Sequence, residues 1–258
     1  MTLNLTRRRL LRYGALSAGS LALAGCDPFG RNQTARDFLQ RAEDLTMGVQ
    51  RALIDRTALA REFSESDIIQ PMRPNGSTNV QDEAYHALWD SGFAGWTLPV
   101  TGLVEKPVSL SLDELRNMPS RTQITRHDCV EGWSCIAKWT GVPLSLVLDQ
   151  AHVKPQAKFI VFQCFDTMEN SFTGPVKYYE SIDMIDARHP QTILAYVANG
   201  ETLPIPLGAP LRVRVERQLG YKMAKFIRAI EVVDDLSPYG GGGGSYWADR
   251  GYEWYAGI

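Results

Sequence analysis

The residues best suited to chemistry gather in one short stretch, His127-Asp-Cys-Val-Glu-Gly-Trp133. Cys129 lies just past a strand-like segment, where a thiolate could ligate a soft or high-valent metal. His127 and Asp128 beside it suggest zinc or copper, but strand alternation sends neighbouring side chains to opposite faces. The sequence has no CxxC or HxxxH companion. A cofactor that brings most of its own ligands therefore fits Cys129 better than a protein-only metal site. The other thiols read differently. Cys164 sits inside the apolar run Phe159-Ile-Val-Phe-Gln-Cys-Phe165 and behaves as a small buried residue. Cys135, near Trp133 and Trp139, is a packing residue, with pairing to Cys129 as the alternative. Four cysteines are too few for a disulfide scaffold.

Cys129-Val-Glu-Gly-Trp133 followed by Trp139-Thr-Gly-Val-Pro-Leu144 resembles the cysteine motif of the sulfite oxidase family of molybdopterin enzymes. It is most similar to the bacterial periplasmic branch, which includes a protein-methionine-sulfoxide reductase. Leu194-Ala-Tyr-Val-Ala-Asn-Gly-Glu-Thr-Leu-Pro204, Gly208-Ala-Pro-Leu-Arg212 and Gly220-Tyr-Lys-Met-Ala-Lys225 follow in the family's order, with Arg73-Pro-Asn-Gly76 upstream. The resemblance runs from about residue 71 to 236.

The resemblance implies a molybdenum held by the dithiolene of one molybdopterin, by oxo or hydroxo groups and by the Cys129 thiolate. It implies two-electron oxygen-atom transfer, the metal cycling between its IV and VI states. Arg212, Lys222 and Lys225 occupy the family's basic positions near the molybdopterin phosphate, an anion that Arg grips bidentately and Lys meets as a point charge. On an extended strand two lysines three residues apart face opposite ways, so both reach one anion only through a turn. Asn75 and Gly76 match a loop that contacts the pterin, and Asp166 and Thr167 approach the same group. Leu207 departs from the pattern, for the family places His or Asn there and leucine cannot hydrogen-bond.

The arginines of the sulfite-oxidising branch have no counterparts here, and only Arg126 and Lys138 lie near Cys129. Sulfoxide-type reduction is therefore the first expectation, and oxidation of sulfite or another small substrate the second. The chain has no CxxCH haem motif, so electrons pass through an external carrier, by analogy a membrane b-type cytochrome. The alternative is a cofactor-free lipoprotein that keeps the fold as a binding or scaffold module; Leu207 speaks for it.

The elements that must hold these residues are mostly short strands. Segments 96–104, 122–128, 159–165, 211–216 and 226–233 read as strands, and Asn199-Gly200 as a hairpin turn after 194–198. Ser111 caps one short helix and Pro143 opens another. This predicts an α+β, largely β, molybdopterin-binding domain of the sulfite-oxidase type, preceded by a helical lead. In the lead, Phe38, Leu39, Ala42, Leu45, Val49, Ala52 and Leu53 recur at helical spacing, with Thr34 as cap. That amphipathic helix packs on the domain or, alternatively, lies on a membrane. Gly240 to Gly244 read as a loop, since a phosphate-cradling role needs a strand before and a helix after. The tail beyond is too aromatic to float free.

The chain has 258 residues, 44% apolar and 22% charged, with a formal net charge of −2. That composition excludes wholesale disorder and gives no electrostatic case for nucleic acid. No apolar run reaches the roughly 18 residues of a membrane span. Residues 1–25 hold Arg7, Arg8, Arg9 and Arg12 with no acid, then a short uncharged stretch, as in an export signal. Without them the rest of the chain is mildly acidic. Thr6-Arg-Arg-Arg-Leu-Leu-Arg12 resembles the twin-arginine motif of folded export, and Leu23-Ala-Gly-Cys26 resembles a lipobox that acylates Cys26. The expected organisation is a signal peptide over 1–25, a tether and helix over 26–70, and an oxidoreductase domain over 71–258. The expected location is the periplasmic side of the bacterial inner membrane, through a lipid anchor.

Overall fold

The computed structural model describes residues 33–172 and 174–258. The expected export signal, Cys26 as the expected lipid site, and the start of the expected tether lie outside them. The chain divides into two units, broken after Leu53. The first contains helix α1 (Gln33–Leu53), so Thr34 lies inside the first turn rather than at its cap. Phe38, Leu45, Val49 and Leu53 of α1 are exposed.

The second unit is built on two five-stranded sheets. The first runs β2 (Val108–Ser111), β1 (Thr97–Gly102), β10 (Ile227–Val233), β5 (Phe159–Ser171), β6 (Gly174–Asp183). Within it β1 and β10 pair in parallel, and the other pairs are antiparallel. β5, with neighbours on both sides, buries Ile160, Val161 and Phe162 in succession, which explains its unbroken apolar run. The second sheet runs β3 (Arg121–Cys129), β4 (Trp133–Pro143), β7 (Ile193–Ala198), β8 (Glu201–Thr202), with β9 (Arg212–Arg214) also paired to β7. Asn199 and Gly200 both have positive φ, as the tight turn between β7 and β8 requires.

Four short helices decorate the sheets among the described residues: α2 (Glu83–Asp90), α3 (Leu112–Asn117), α4 (Leu144–Ala151) and α5 (Met184–Ala187). Ser111 caps α3 through a reciprocal pair with Glu114, an arrangement worth about 1 kcal/mol. The main core draws Leu98, Ile160, Phe162 and Ile230 from the first sheet and Val142 and Leu194 from the second. A smaller cluster covers the other face of the second sheet, with Cys135, Ala137, Trp139, Ile193, Ala195 and Leu207.

Residues 54–70, read in the sequence as part of the lead, belong to the second unit. Glu62 bridges Thr125, and the Ile69 N–H donates to the Ile136 carbonyl at 2.9 Å. The aromatic tail packs back as expected, with Tyr246 and Tyr255 buried.

Candidate active site

Cys129 ends β3 directly opposite Trp133 of β4, so the hairpin tip presents the thiol. The Gly132 N–H donates to the Cys129 carbonyl at 3.0 Å and closes that turn. Cys129, Cys135 and Cys164 are all free thiols; Cys135 lies opposite His127 instead of Cys129. Burial pushes the half-buried Cys129 thiol above its usual pKa, and the Glu131 charge adds to this; the Glu131 backbone N–H and Arg73 pull it down. A metal would supply what the protein withholds, because coordination deprotonates a thiol outright.

The thiol opens into a cavity enclosing roughly 680 Å³ of empty space including its mouth, within the usual range for small-ligand sites. Its walls come from five places: the 75–77 loop, the hairpin tip at 129–131, Asp166 and Met168 of β5 with Tyr178 of β6, alternate residues Tyr221, Met223 and Lys225, and Trp247 and Tyr252 of the tail. Asn75, Gly76, Cys129 and Lys225 thus share one cavity. Thr167, Arg212 and Lys222 are not among its walls.

The two lysines diverge because residues 220–222 form a 3-10 turn. Lys222 donates to Glu180 at 2.5 Å, and both side chains are fully buried. Lys225 donates to the carbonyls of Asn75, Ser77 and Pro206, stapling the 75–77 loop in place. Burial, reinforced by Arg212, pushes its pKa down to about 7. Thr167 accepts from Lys177 at 3.0 Å and donates to the Gln81 carbonyl at 3.3 Å. Asp166 is 4% exposed, its Oδ1 has no partner among the described residues, and burial pushes its pKa up to about 6.

A buried polar face lies behind the Cys129 hairpin. Cross-strand register puts Gln123, Thr125 and His127 of β3 beside Cys135, Ala137 and Trp139 of β4. It puts Arg212 and Arg214 of β9 opposite Ala195 and Ile193 of β7. Arg214 grips Glu216 through two bonds, at 2.9 and 2.7 Å, and donates to His127 Nδ1 at 3.0 Å. Because arginine only donates, the His127 proton sits on Nε2. Burial, with Arg214 next, holds this imidazole well below its usual pKa and so neutral. The Cε1–Nε2 edge of the ring lies against Gly220, where a Cβ would come within 2.3 Å of both atoms.

Arg212 is the exception on this face. It is fully buried and stacks on Trp139, 4.8 Å from the ring centre. Its Nη1 donates to the Leu207 carbonyl at 2.9 Å. Its Nε and Nη2 have no partner among the described residues. Leu207 thus offers its backbone where its side chain cannot serve.

These residues fit molybdopterin. Cys129 is a soft ligand at the cavity mouth. In the cavity wall, Asn75 Oδ1 and Asp166 Oδ1 are unpartnered acceptors suited to ring N–H donors; Arg212, outside that wall, holds two unpartnered donors of the kind that suits a phosphate. The sequence singled out Cys129 and Arg212 but missed the wall supplied by Met168, Met223, Trp247 and Tyr252. A pocket-facing aromatic and a core aromatic look alike along a chain. Among the described residues, no group of three or more His, Cys, Asp and Glu is placed to hold a metal; His127 meets Arg214, and Asp128 meets Arg126 and Ser134.

Comparison with known proteins agrees with this chemistry. The sequence matches the family described as "Oxidoreductase molybdopterin binding domain" over residues 86–239. It is 36% identical over 97% of its length to an Azospira oryzae protein provisionally named protein-methionine-sulfoxide reductase subunit YedZ1, of which it covers 87%. It is 35% identical over 89% of its length to the protein-methionine-sulfoxide reductase catalytic subunit MsrP of Xanthomonas axonopodis pv. citri, of which it covers 70%. Among solved structures, the sulfane dehydrogenase SoxCD of Paracoccus pantotrophus aligns with a TM-score of 0.48 and 26% identity, over 54% of this chain and 38% of that one. The thiol, the unpartnered arginine and the family match converge: the chain belongs to the oxidoreductase molybdopterin-binding domain family and is a molybdenum-dependent oxidoreductase.

Proposed function

We propose that this enzyme reduces sulfoxides, delivering two electrons and two protons to convert each sulfoxide to a sulfide and water. The carrying observation is electrostatic. Among the described residues, the cations flanking the Cys129 hairpin each face a carboxylate, Arg73 with Glu131 at 3.9 Å, Arg126 with Asp128 at 2.8 Å, and Lys138 with Glu65, and the cation in the cavity wall, Lys225, is held by three backbone carbonyls. A neutral substrate needs no free cation, whereas an anion such as sulfite does. The names of the Azospira and Xanthomonas relatives point to the same class.

When bound, the molybdenum centre supplies oxygen-atom transfer, with Cys129 as its protein ligand. The chain's own residues do the rest. Lys225 fixes the loop that bears Asn75 and Gly76. Arg212, screened from water, is the phosphate anchor. Asp166, with a pKa of about 6, can hold or release a proton at neutral pH. Electrons arrive from an external carrier, a membrane b-type cytochrome, consistent with relatives named as subunits. The enzyme works on the periplasmic side of the inner membrane, exported through the twin-arginine signal and tethered by a lipid on Cys26.

The test is turnover of sulfoxides, sulfite and N-oxides with an artificial redox dye. Sulfoxide reduction is expected to dominate; sulfite oxidation without sulfoxide reduction overturns the proposal. For the anchor, labelled palmitate should enter the wild type and not Cys26→Ala; equal labelling overturns it.

A further inference from the structure

The family match ends at residue 239, yet the segment that follows supplies part of the Cys129 cavity. The glycine run is folded around an internal carboxylate. Gly241 and Gly243 N–H groups donate to Asp249 at 2.9 and 2.8 Å, and the Tyr179 hydroxyl joins them at 2.6 Å. That anion-binding turn is therefore filled by the protein itself. Further along, the Trp254 indole donates to Ser181 at 2.8 Å, the Tyr221 hydroxyl to the Glu253 carbonyl at 2.8 Å, and the Leu219 N–H to the Ala256 carbonyl at 2.9 Å.

Between these two anchors lie Trp247 and Tyr252, and both line the cavity. Their rings are 5.1 Å apart, and Tyr252 meets Tyr221 edge-on at 5.4 Å. Tyr252 is 39% exposed and Trp247 half-buried, so they flank the mouth where Cys129 is also half-buried. Asp166, Lys225 and Met223 are buried at the floor. The aromatic pair and the Cys129 thiol thus line the same cavity.

We propose that the tail beyond the glycine run is the specificity wall of this enzyme: Trp247 and Tyr252 receive the apolar substituent of the substrate and favour sulfoxides with an aryl or other bulky apolar substituent over compact ones. This rests on the sulfoxide reading above. The physical basis is the flat, polarisable face such rings offer to apolar groups and sulfur.

The experiment compares kcat/KM for methyl phenyl sulfoxide and dimethyl sulfoxide in the molybdenum-loaded enzyme, with metal content and the Mo(V) EPR signal followed in parallel. Trp247→Ala should lower the ratio of the two constants about tenfold, about 1.4 kcal/mol, through KM for the larger substrate. Trp247→Phe should restore most of it. Tyr252→Ala, at the more exposed ring, should lower the ratio about threefold and decides the matter if Trp247→Ala fails to fold or load. Ratios within twofold of wild type in loaded alanine variants overturn the wall. A wild type that reduces neither sulfoxide overturns the sulfoxide reading, and the wall with it.

Discussion

Arg212 and Arg214 sit two residues apart on one strand, face the same way, and stack on the same indole at 4.8 and 4.6 Å. Both are fully buried. Arg214 is complete, with a two-bond grip on Glu216 and an acceptor in His127. Arg212 has one carbonyl and, among the described residues, two unpartnered nitrogens. A buried cation without an anion is costly enough that folded proteins rarely keep one. The fold therefore neutralises one arginine from within and leaves two nitrogens of its neighbour unpartnered among the described residues, the contrast on which its proposed role as phosphate anchor rests. The lysines repeat the lesson in milder form: Lys222 has Glu180, while Lys225 donates to neutral carbonyls.

The largest effect should come from the incomplete arginine. Arg212→Met should cut molybdenum per chain at least tenfold, measured by elemental analysis, while cofactor-free protein melts no earlier than wild type. A variant that loads normally would break the contrast. The complete arginine should behave the opposite way. Glu216→Gln leaves Arg214 buried beside a neutral amide and should cost about 3–5 kcal/mol in denaturant titrations, with or without cofactor.

Next in size is the pH dependence of cofactor-free stability. Lys225 has a folded pKa of about 7, below its ordinary 10.5, so the unfolded chain binds more protons between those values. Stability from this group should rise from about pH 7 to 10 by up to several kcal/mol. Asp166 has a folded pKa of about 6, above its ordinary 3.8, so the folded chain binds more protons there. Stability from Asp166 should fall as pH rises from about 4 to 6, and Asp166→Asn should flatten that limb in denaturant titrations. The smallest effect belongs to the exposed pair: Lys138→Ala should change stability by no more than about 0.5 kcal/mol and leave metal content intact.

Much of the site was legible in the sequence, for identifiable reasons. Cys129 stood out because a thiol at a strand end without CxxC companions has few structural uses, and the residues around it carried a family pattern. Asn199-Gly200 and Ser111 were legible because turns and caps are set by local chemistry. Three strands, β2, β4 and β6, were not. Trp133–Pro143 alternates, but its faces are both largely buried, and Gly174–Asp183 carries polar residues such as Glu180 that burial partners neutralise far away in sequence. Nor could spacing show that Lys222 and Lys225 part company, since that depends on the turn at 220–222. Arg212 and Arg214 are indistinguishable along the chain; only the position of Glu216 and Leu207 in space separates them.

The most direct measurement is the Mo(V) EPR spectrum of protein purified from a molybdenum-replete host, wild type against Cys129→Ser, with metal content determined on the same samples. Close to one molybdenum per wild-type chain is expected, with a spectrum that changes when oxygen replaces sulfur at position 129. Less than about a tenth of a molybdenum per correctly matured chain, or a spectrum unmoved by the substitution, would contradict the assignment of Cys129 as the metal's protein ligand.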